Sequence, residues 1–207
     1  LHQYFLLRSI HLSKVLPTPV SPDPDEYDKR ADVMVVRVGR QVVGGARILV
    51  RRSPQDLPLY IERGNWQMVD VLPELELDRH TYCELSKLFL LEEFQNSQVM
   101  QMMFACIMRR CTELGADYGF ATSSPSAARI HRRTLRRIGV NYTLLSHIEV
   151  PTEGEERSDN TSYQQLIMFD DMATPSTGKL RLLKKMGIAV EMPTIETASN
   201  SDEVEPA

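Results

Sequence analysis

The stretch "VMVVRVGRQVVGGARILV", residues 33–50, constrains the fold more than any other part of the chain. Two runs rich in β-branched residues flank Gly39 and Arg40, a two-residue connection of the kind that closes an antiparallel hairpin. Gly44 and Gly45 interrupt the second run, which marks a bulge or the close approach of another backbone. A hairpin alone is marginal in water and needs further strands or a helix against it. The sequence supplies both. Strand patterns over 82–91, 117–123, 141–150 and 163–172 alternate with helical patterns over 97–114 and 124–139. Ser97 is a candidate cap for the first of these helices, Gly115 and Gly139 are stop signals, and Pro125 suits a helix start. Another helix is expected over 1–16, followed by the proline-rich loop "PTPVSPDPDEYD", and residues 53–80 read as irregular. This order predicts an α/β (α+β) layer: a central mixed, mostly antiparallel sheet flanked by helices. One domain over 1–172 is expected. A short amphipathic helix and an acidic, disordered tail are expected over 173–207.

Composition narrows the function classes. The 207 residues are 42% hydrophobic, enough for a folded core, yet no apolar run approaches the ~20 residues of a membrane span. A net charge of −4 argues against a general nucleic-acid binder. The three cysteines, Cys83, Cys106 and Cys111, form no CxxC or Cys/His cluster. Reduced thiols in a cytoplasmic protein, with no metal site and no cofactor, are the expectation.

In "TYCELSKLFLLEEF", Glu84 stands among apolar residues. A buried carboxylate is costly unless it is paired or put to use. It is either a catalytic group or the cross-sheet partner of Arg47, holding two strands in register. Asp25 and Asp28 in "DEYD" are either a turn-forming pair in a proline-rich loop or groups that hold the amino end of a substrate.

Three motifs, in order, carry a resemblance: Asp25-x-x-Asp28 before the hairpin, "GGARIL" with Arg47, and "CELSKLFL" with Glu84, Ser86 and Lys87. Together with the helix "SAARIHRRTLRRIGV", they resemble the acyl-homoserine-lactone synthases and the long-chain N-acyl amino acid synthases, two branches of the GNAT acyltransferase superfamily. The resemblance spans roughly residues 1–172. It implies a GNAT-like fold and an acyl thioester on an acyl carrier protein, lying in a V-shaped opening between central strands. The amine of a small acceptor attacks the thioester, and backbone N–H groups of the splayed strands steady the oxyanion. The product is an N-acyl amide.

What the resemblance implies residue by residue is as follows. Glu84 is the base that takes the amine proton, with Ser86 beside it; alternatively, the Ser86 hydroxyl bonds within its strand. Arg8, Asp25, Asp28, Arg47 and Lys87 bind substrate, the aspartates at the amino end of the acceptor. Arg47 and Lys87 orient a carboxylate or the acyl carbonyl, or neutralise Glu84. Met103 and Phe104, on a helix with Met100, Met102 and Met108, pack the core or line an acyl chain.

Two departures from the family shape the acceptor. Lys87 replaces the signature arginine, and the tryptophan that lactone synthases carry after the first helix is missing, since the single tryptophan is Trp66. An amino acid acceptor is therefore expected, with S-adenosylmethionine, giving a lactone, as the alternative. A third reading is an ordinary CoA-dependent N-acetyltransferase. Against it, "LLEEFQNSQ" has no glycine and two consecutive glutamates where such enzymes cradle a diphosphate. Finally, Arg129, Arg132, Arg133, Arg136 and Arg137 share one helix side, opposite Ile130, Leu135 and Ile138. This is a solvated face or a docking face for the acidic carrier. His131 and His147 read as packed or surface residues.

Overall fold

The computed structural model describes residues 1–14, 19–62, 65–95, 98–137, 142–151 and 163–169. The expected C-terminal helix and tail, and the Ser97 and Gly139 signals, lie outside them. Helix α1 (His2–Leu12) and the short helix α2 (Glu26–Arg30) precede strands β1 (Asp32–Val38) and β2 (Gln41–Arg51). A segment containing α3 (Met68–Val71) and two 3-10 turns leads to β3 (Tyr82–Leu90). Helix α4 (Gln98–Glu113), β4 (Tyr118–Ser123), α5 (Pro125–Arg137), β5 (Tyr142–Pro151) and β6 (Tyr163–Phe169) follow. The six-stranded sheet has the order β1-β2-β3-β4-β6-β5. Only the β3/β4 pair is parallel; the other four are antiparallel. This is the mixed, mostly antiparallel α/β sheet that the element order predicts.

The hairpin forms as its sequence dictates, turning at Gly39 with φ +60. The glycine pair marks both a bulge and a close approach. A Cβ on Gly45 would lie 2.2 Å from the Met34 carbonyl oxygen and 2.6 Å from the Tyr4 ring. One on Gly44 would lie 2.5 Å from the Phe89 carbonyl oxygen. Glycine there lets α1 seat Tyr4 on the sheet, and register shifts flank the pair on both sides.

Both faces of the sheet are covered. On one face, Ile48, Cys83 and Leu85 pack with Met103, Phe104, Ile107 and Met108 of α4 and with Ala128 and Leu135 of α5. On the other, Leu49, Tyr82, Phe120 and Leu166 pack with Leu59, Ile61, Met68, Leu72 and Leu77. The segment expected to be irregular is thus a full layer of the core. Two sequence expectations are corrected here. The loop around "DEYD" contains α2, and residues 53–80 contain α3 and short 3-10 turns. Both are too short for a helical period to register in the sequence. Alternation along β3 sends Tyr82 and Glu84 toward the 59–77 layer and Cys83 and Leu85 toward α4.

Candidate active site

The parallel β3/β4 ladder is short. It pairs Tyr82 with Tyr118, Cys83 with Gly119 and Glu84 with Phe120, and ends there. Beyond it β3 continues against β2, and β4 continues against β6. The sheet splits at Glu84, and backbone groups of β3 that would face β4 lose their strand partner. The split arm of β3 is also kinked. Gly45 pairs with Phe89 and Arg47 with Ser86, so Lys87 and Leu88 together oppose Ala46. This is a bulge, and Lys87 takes up its left-handed turn with φ +51. A side chain other than glycine in that region carries strain of order 1 kcal/mol, the kind of strain that clusters at functional sites.

Beside the split lies a buried cluster of charge. Arg47 is 0% exposed. Its Nη1 donates to both carboxylate oxygens of Asp25 (3.0 and 2.9 Å) and, more weakly, to Asp28 (3.4 Å). Its Nε donates to Ser86 Oγ at 3.0 Å. The guanidinium lies 4.7 Å from the Tyr60 ring centroid and 5.5 Å from that of Tyr27. Lys87 shares Tyr60: its Nζ sits 4.7 Å from the ring centroid and donates to the phenol oxygen at 3.2 Å. Arg47 Nη2 is buried, and among the described residues it has no hydrogen-bond partner.

Asp25 and Asp28 form a reciprocal cap on α2, each carboxylate accepting the other's backbone N–H. Their surroundings differ. The Asp28 side chain is fully enclosed and accepts both terminal nitrogens of Arg8 at 2.7 and 2.8 Å. Burial pushes its carboxyl pKa up. The Arg8 and Asp25 hydrogen bonds and the Arg8 and Arg47 charges outweigh that, leaving it below the ordinary aspartate value. Asp25 is 38% exposed at its side chain. It is the member of the pair that reaches the surface.

Glu84 is 3% exposed, and its Oε2 accepts the Ile61 backbone N–H at 2.9 Å. The register puts Glu84 opposite Leu49, and Arg47 opposite Ser86. The sequence-stated alternative of a Glu84–Arg47 cross-strand pair gives way to this arrangement, in which Arg47 has its ion pairs with Asp25 and Asp28. Within this unbroken stretch of register the two residues are offset by two positions, so neither faces the other across the strands.

The structure thus brings together Arg8, Asp25, Asp28, Arg47, Ser86 and Lys87, with Glu84 two residues from Ser86 on the same strand. Met103 and Phe104 lie apart from this cluster, enclosed in the α4 core. The arginines Arg129, Arg132, Arg133, Arg136 and Arg137 are exposed on α5, and none has an ion-pair partner among the described residues. His131 packs on Phe104, and burial pushes its pKa down. His147 is exposed. Cys83 and Cys111 are buried thiols, and Cys106 is exposed. Among the described residues no helix is long and apolar enough to cross a membrane.

Sequence reasoning missed Tyr27, Tyr60, Arg51, Glu62 and Tyr82. Tyr27 lay between the two flagged aspartates, which was a usable signal. Glu62 sits in a segment without periodicity, and nothing local marks it.

Known proteins place this geometry. The family model "Acetyltransferase (GNAT) domain" matches residues 13–105, a span that includes Asp25, Asp28, Arg47, Glu84, Ser86 and Lys87. No curated protein sequence matches the chain significantly. Among solved structures, the CoA-dependent acyl-homoserine lactone synthase MesI is similar, at 15% identity and a TM-score of 0.57, over 91% of this chain and 88% of that one. BjaI, another CoA-dependent acyl-homoserine lactone synthase, solved with SAM and isopentyl-CoA, aligns at 16% identity and a TM-score of 0.58, over 91% and 82%. FeeM, an N-acyl amino acid synthase from uncultured soil microbes, aligns at 10% identity and a TM-score of 0.52, over 86% and 88%. The chain has the GNAT acyltransferase fold in the autoinducer-synthase-like form that its motifs resemble.

Proposed function

We propose that the protein transfers a long-chain acyl group from an acyl carrier protein to the α-amine of an amino acid. The observation that carries the acceptor is the Arg47 site. A fully buried guanidinium has one nitrogen without a partner among the described residues, while Lys87 stands over the same tyrosine ring. A carboxylate bound there gains two cations, and its oxygens satisfy the orphan Nη2. Asp25, at the exposed end of the cluster, suits the acceptor's ammonium before it loses its proton.

In the reaction, the neutral amine nitrogen attacks the thioester carbonyl. Glu84 takes the nitrogen's proton, directly or through water. The tetrahedral intermediate collapses with cleavage of the C–S bond, and the proton that Glu84 removed passes to the leaving thiolate, which restores the carboxylate. Backbone amides of β3 beyond the end of its ladder with β4 are the candidate donors to the oxyanion.

Two features support a carrier-borne donor. The turn Glu92–Phe94 brings carboxylates, not glycine amides, to the position where a diphosphate would need donors. Helix α5 starts two residues after the end of β4 and displays five exposed arginines, which suit an acidic carrier. The names of MesI and BjaI describe CoA-dependent enzymes, so the donor is the point to test.

The experiment supplies the purified enzyme with acyl carrier protein thioester or acyl-CoA, and with amino acids, amino acid amides or S-adenosylmethionine. Mass spectrometry reads the product. An N-acyl amino acid formed fastest from the carrier thioester, with amides as poor acceptors, is expected. A lactone product overturns the acceptor; equal or better turnover of acyl-CoA overturns the donor.

A further inference from the structure

A second buried charged cluster lies against the first and belongs to no step above. The Glu62 side chain is fully enclosed and accepts four hydrogen bonds. Oε2 takes Arg51 Nη1 at 2.7 Å and the Leu59 N–H at 3.0 Å. Oε1 takes the Tyr82 hydroxyl at 3.0 Å and the Met68 N–H at 3.2 Å. Four acceptor sites are the capacity of a carboxylate, so Glu62 is saturated and free of substrate chemistry.

Its position is the informative part. Glu62 closes a turn on Leu59, whose carbonyl accepts the Glu62 N–H at 3.0 Å. The residue inside that turn, Ile61, gives its N–H to Glu84. Tyr82, which Glu62 also holds, lies two residues before Glu84 on the same face of β3. The turn is therefore tied to one strand face twice: through the Ile61 N–H at Glu84 and through Glu62 at Tyr82. Arg51 adds a third anchor on the neighbouring strand, its Nη2 also holding the Pro54 carbonyl at 3.2 Å.

We infer that Glu62 is a positioning residue for Glu84: it fixes the turn whose Ile61 amide donates to the catalytic carboxylate. This rests on the reading of Glu84 as the base. An N–H donated to a carboxylate favours its ionised form, so the amide keeps the base ready to accept a proton as pH falls. Loosening the turn withdraws that donor and makes Glu84 easier to protonate.

The test is the pH profile of kcat/KM for the 207-residue chain, with a long-chain acyl thioester and a saturating amino acid. Glu62→Gln puts an NH2 group where two donors converge, and it removes the charge paired with Arg51. Its acid limb is expected to move up by about one pH unit, the scale of one hydrogen bond to a charged group, with a lower kcat and little change in either KM. Tyr82→Phe removes one of the four bonds and keeps the ring packing, so it should shift the limb the same way by less. It also decides the matter if Glu62→Gln does not fold. A purely structural role lowers the melting temperature and leaves the limb where it was; that result in a folded variant overturns the inference. Glu84→Gln is the separate control. Loss of the acid limb there supports the base, and a limb that survives overturns the base assignment itself.

Discussion

At the scale of single residues, the site depends on where protons and charges are held. Glu84 was legible because a carboxylate in an apolar strand needs a reason. Its partner was not legible, because the Ile61 donor is a backbone N–H and leaves no mark on residue type. Glu84→Gln preserves shape and hydrogen-bonding length but cannot take a proton. We expect a folded protein with kcat lowered about 10²-fold, measured by product formation and circular dichroism. Lys87 gives a sharper test of the acceptor. If its ammonium meets the acceptor carboxylate, Lys87→Met raises KM for the amino acid roughly 10-fold or more, as expected for one charge-assisted hydrogen bond. KM for the acyl donor stays level, and an amino acid amide is used equally by both proteins. A loss that is the same for acid and amide removes Lys87 from carboxylate binding. The backbone at Lys87 makes a separate statement. With φ +51, Lys87→Gly should melt no lower than Lys87→Ala, whereas in ordinary strand geometry glycine would be the worse residue.

At the scale of elements, three arginine–aspartate contacts dock α1 and α2 onto β2. Arg8 of α1 reaches Asp28 of α2, and Asp28 with Asp25 reaches Arg47 of β2. The sequence displayed every one of these residues but not their division of labour, since Asp-x-x-Asp reads alike as a turn, a cap or a ligand pair. Burial separates them, and burial depends on Tyr4 and Phe5 seating α1 over the glycine pair. The docking has a pH signature. Arg8, Arg47 and the Asp25 N–H face Asp28 and hold its folded pKa below the ordinary 3.8. The unfolded chain then binds the proton more readily in that window. The stabilisation is present in full above about pH 4 and is lost as pH falls from 3.8 through the lower folded value. Thermal melts of wild type and Asp28→Asn should therefore differ most above pH 5 and converge as pH falls through and below 3.8. A gap that stays constant down to pH 3 means the carboxylate charge is not what docks α1. Arg8→Ala, which strands the buried Asp28, should cost about 3 kcal/mol at pH 7 in chemical denaturation.

At the scale of the whole molecule, the alternation of helices and strands along the chain was legible because period-2 and period-3.6 patterns are long enough to count, while the order of strands in the sheet was not. The covering layer of residues 59–77 was not. Its apolar residues Leu59, Ile61, Met68, Leu72 and Leu77 follow no single period, and only the fold shows that they close one sheet face. The arginine face of α5 was legible as a pattern, and its surroundings now bear on its use. Ala128 and Leu135 are buried, while Arg129, Arg132, Arg133, Arg136 and Arg137 stay exposed on one arc, roughly 140° wide at about 100° per residue. None has an acidic partner among the described residues, although the chain carries a net charge of −4. Like charges on one helix face repel, so the face favours an acidic partner, and long-range attraction would speed its encounter. The Debye length is about 8 Å at physiological salt, so such steering weakens as salt rises. Arg132→Glu combined with Arg136→Glu should raise KM for the acyl carrier protein thioester at low salt. Turnover of a small acyl thioester without the carrier should be unchanged, because both side chains are exposed and outside the Glu84–Arg47 cluster. Added salt should raise the wild-type KM for the carrier donor and narrow the gap to the variant. Equal losses on carrier-bound and carrier-free donors, or a wild type indifferent to salt, would show that this face docks no carrier.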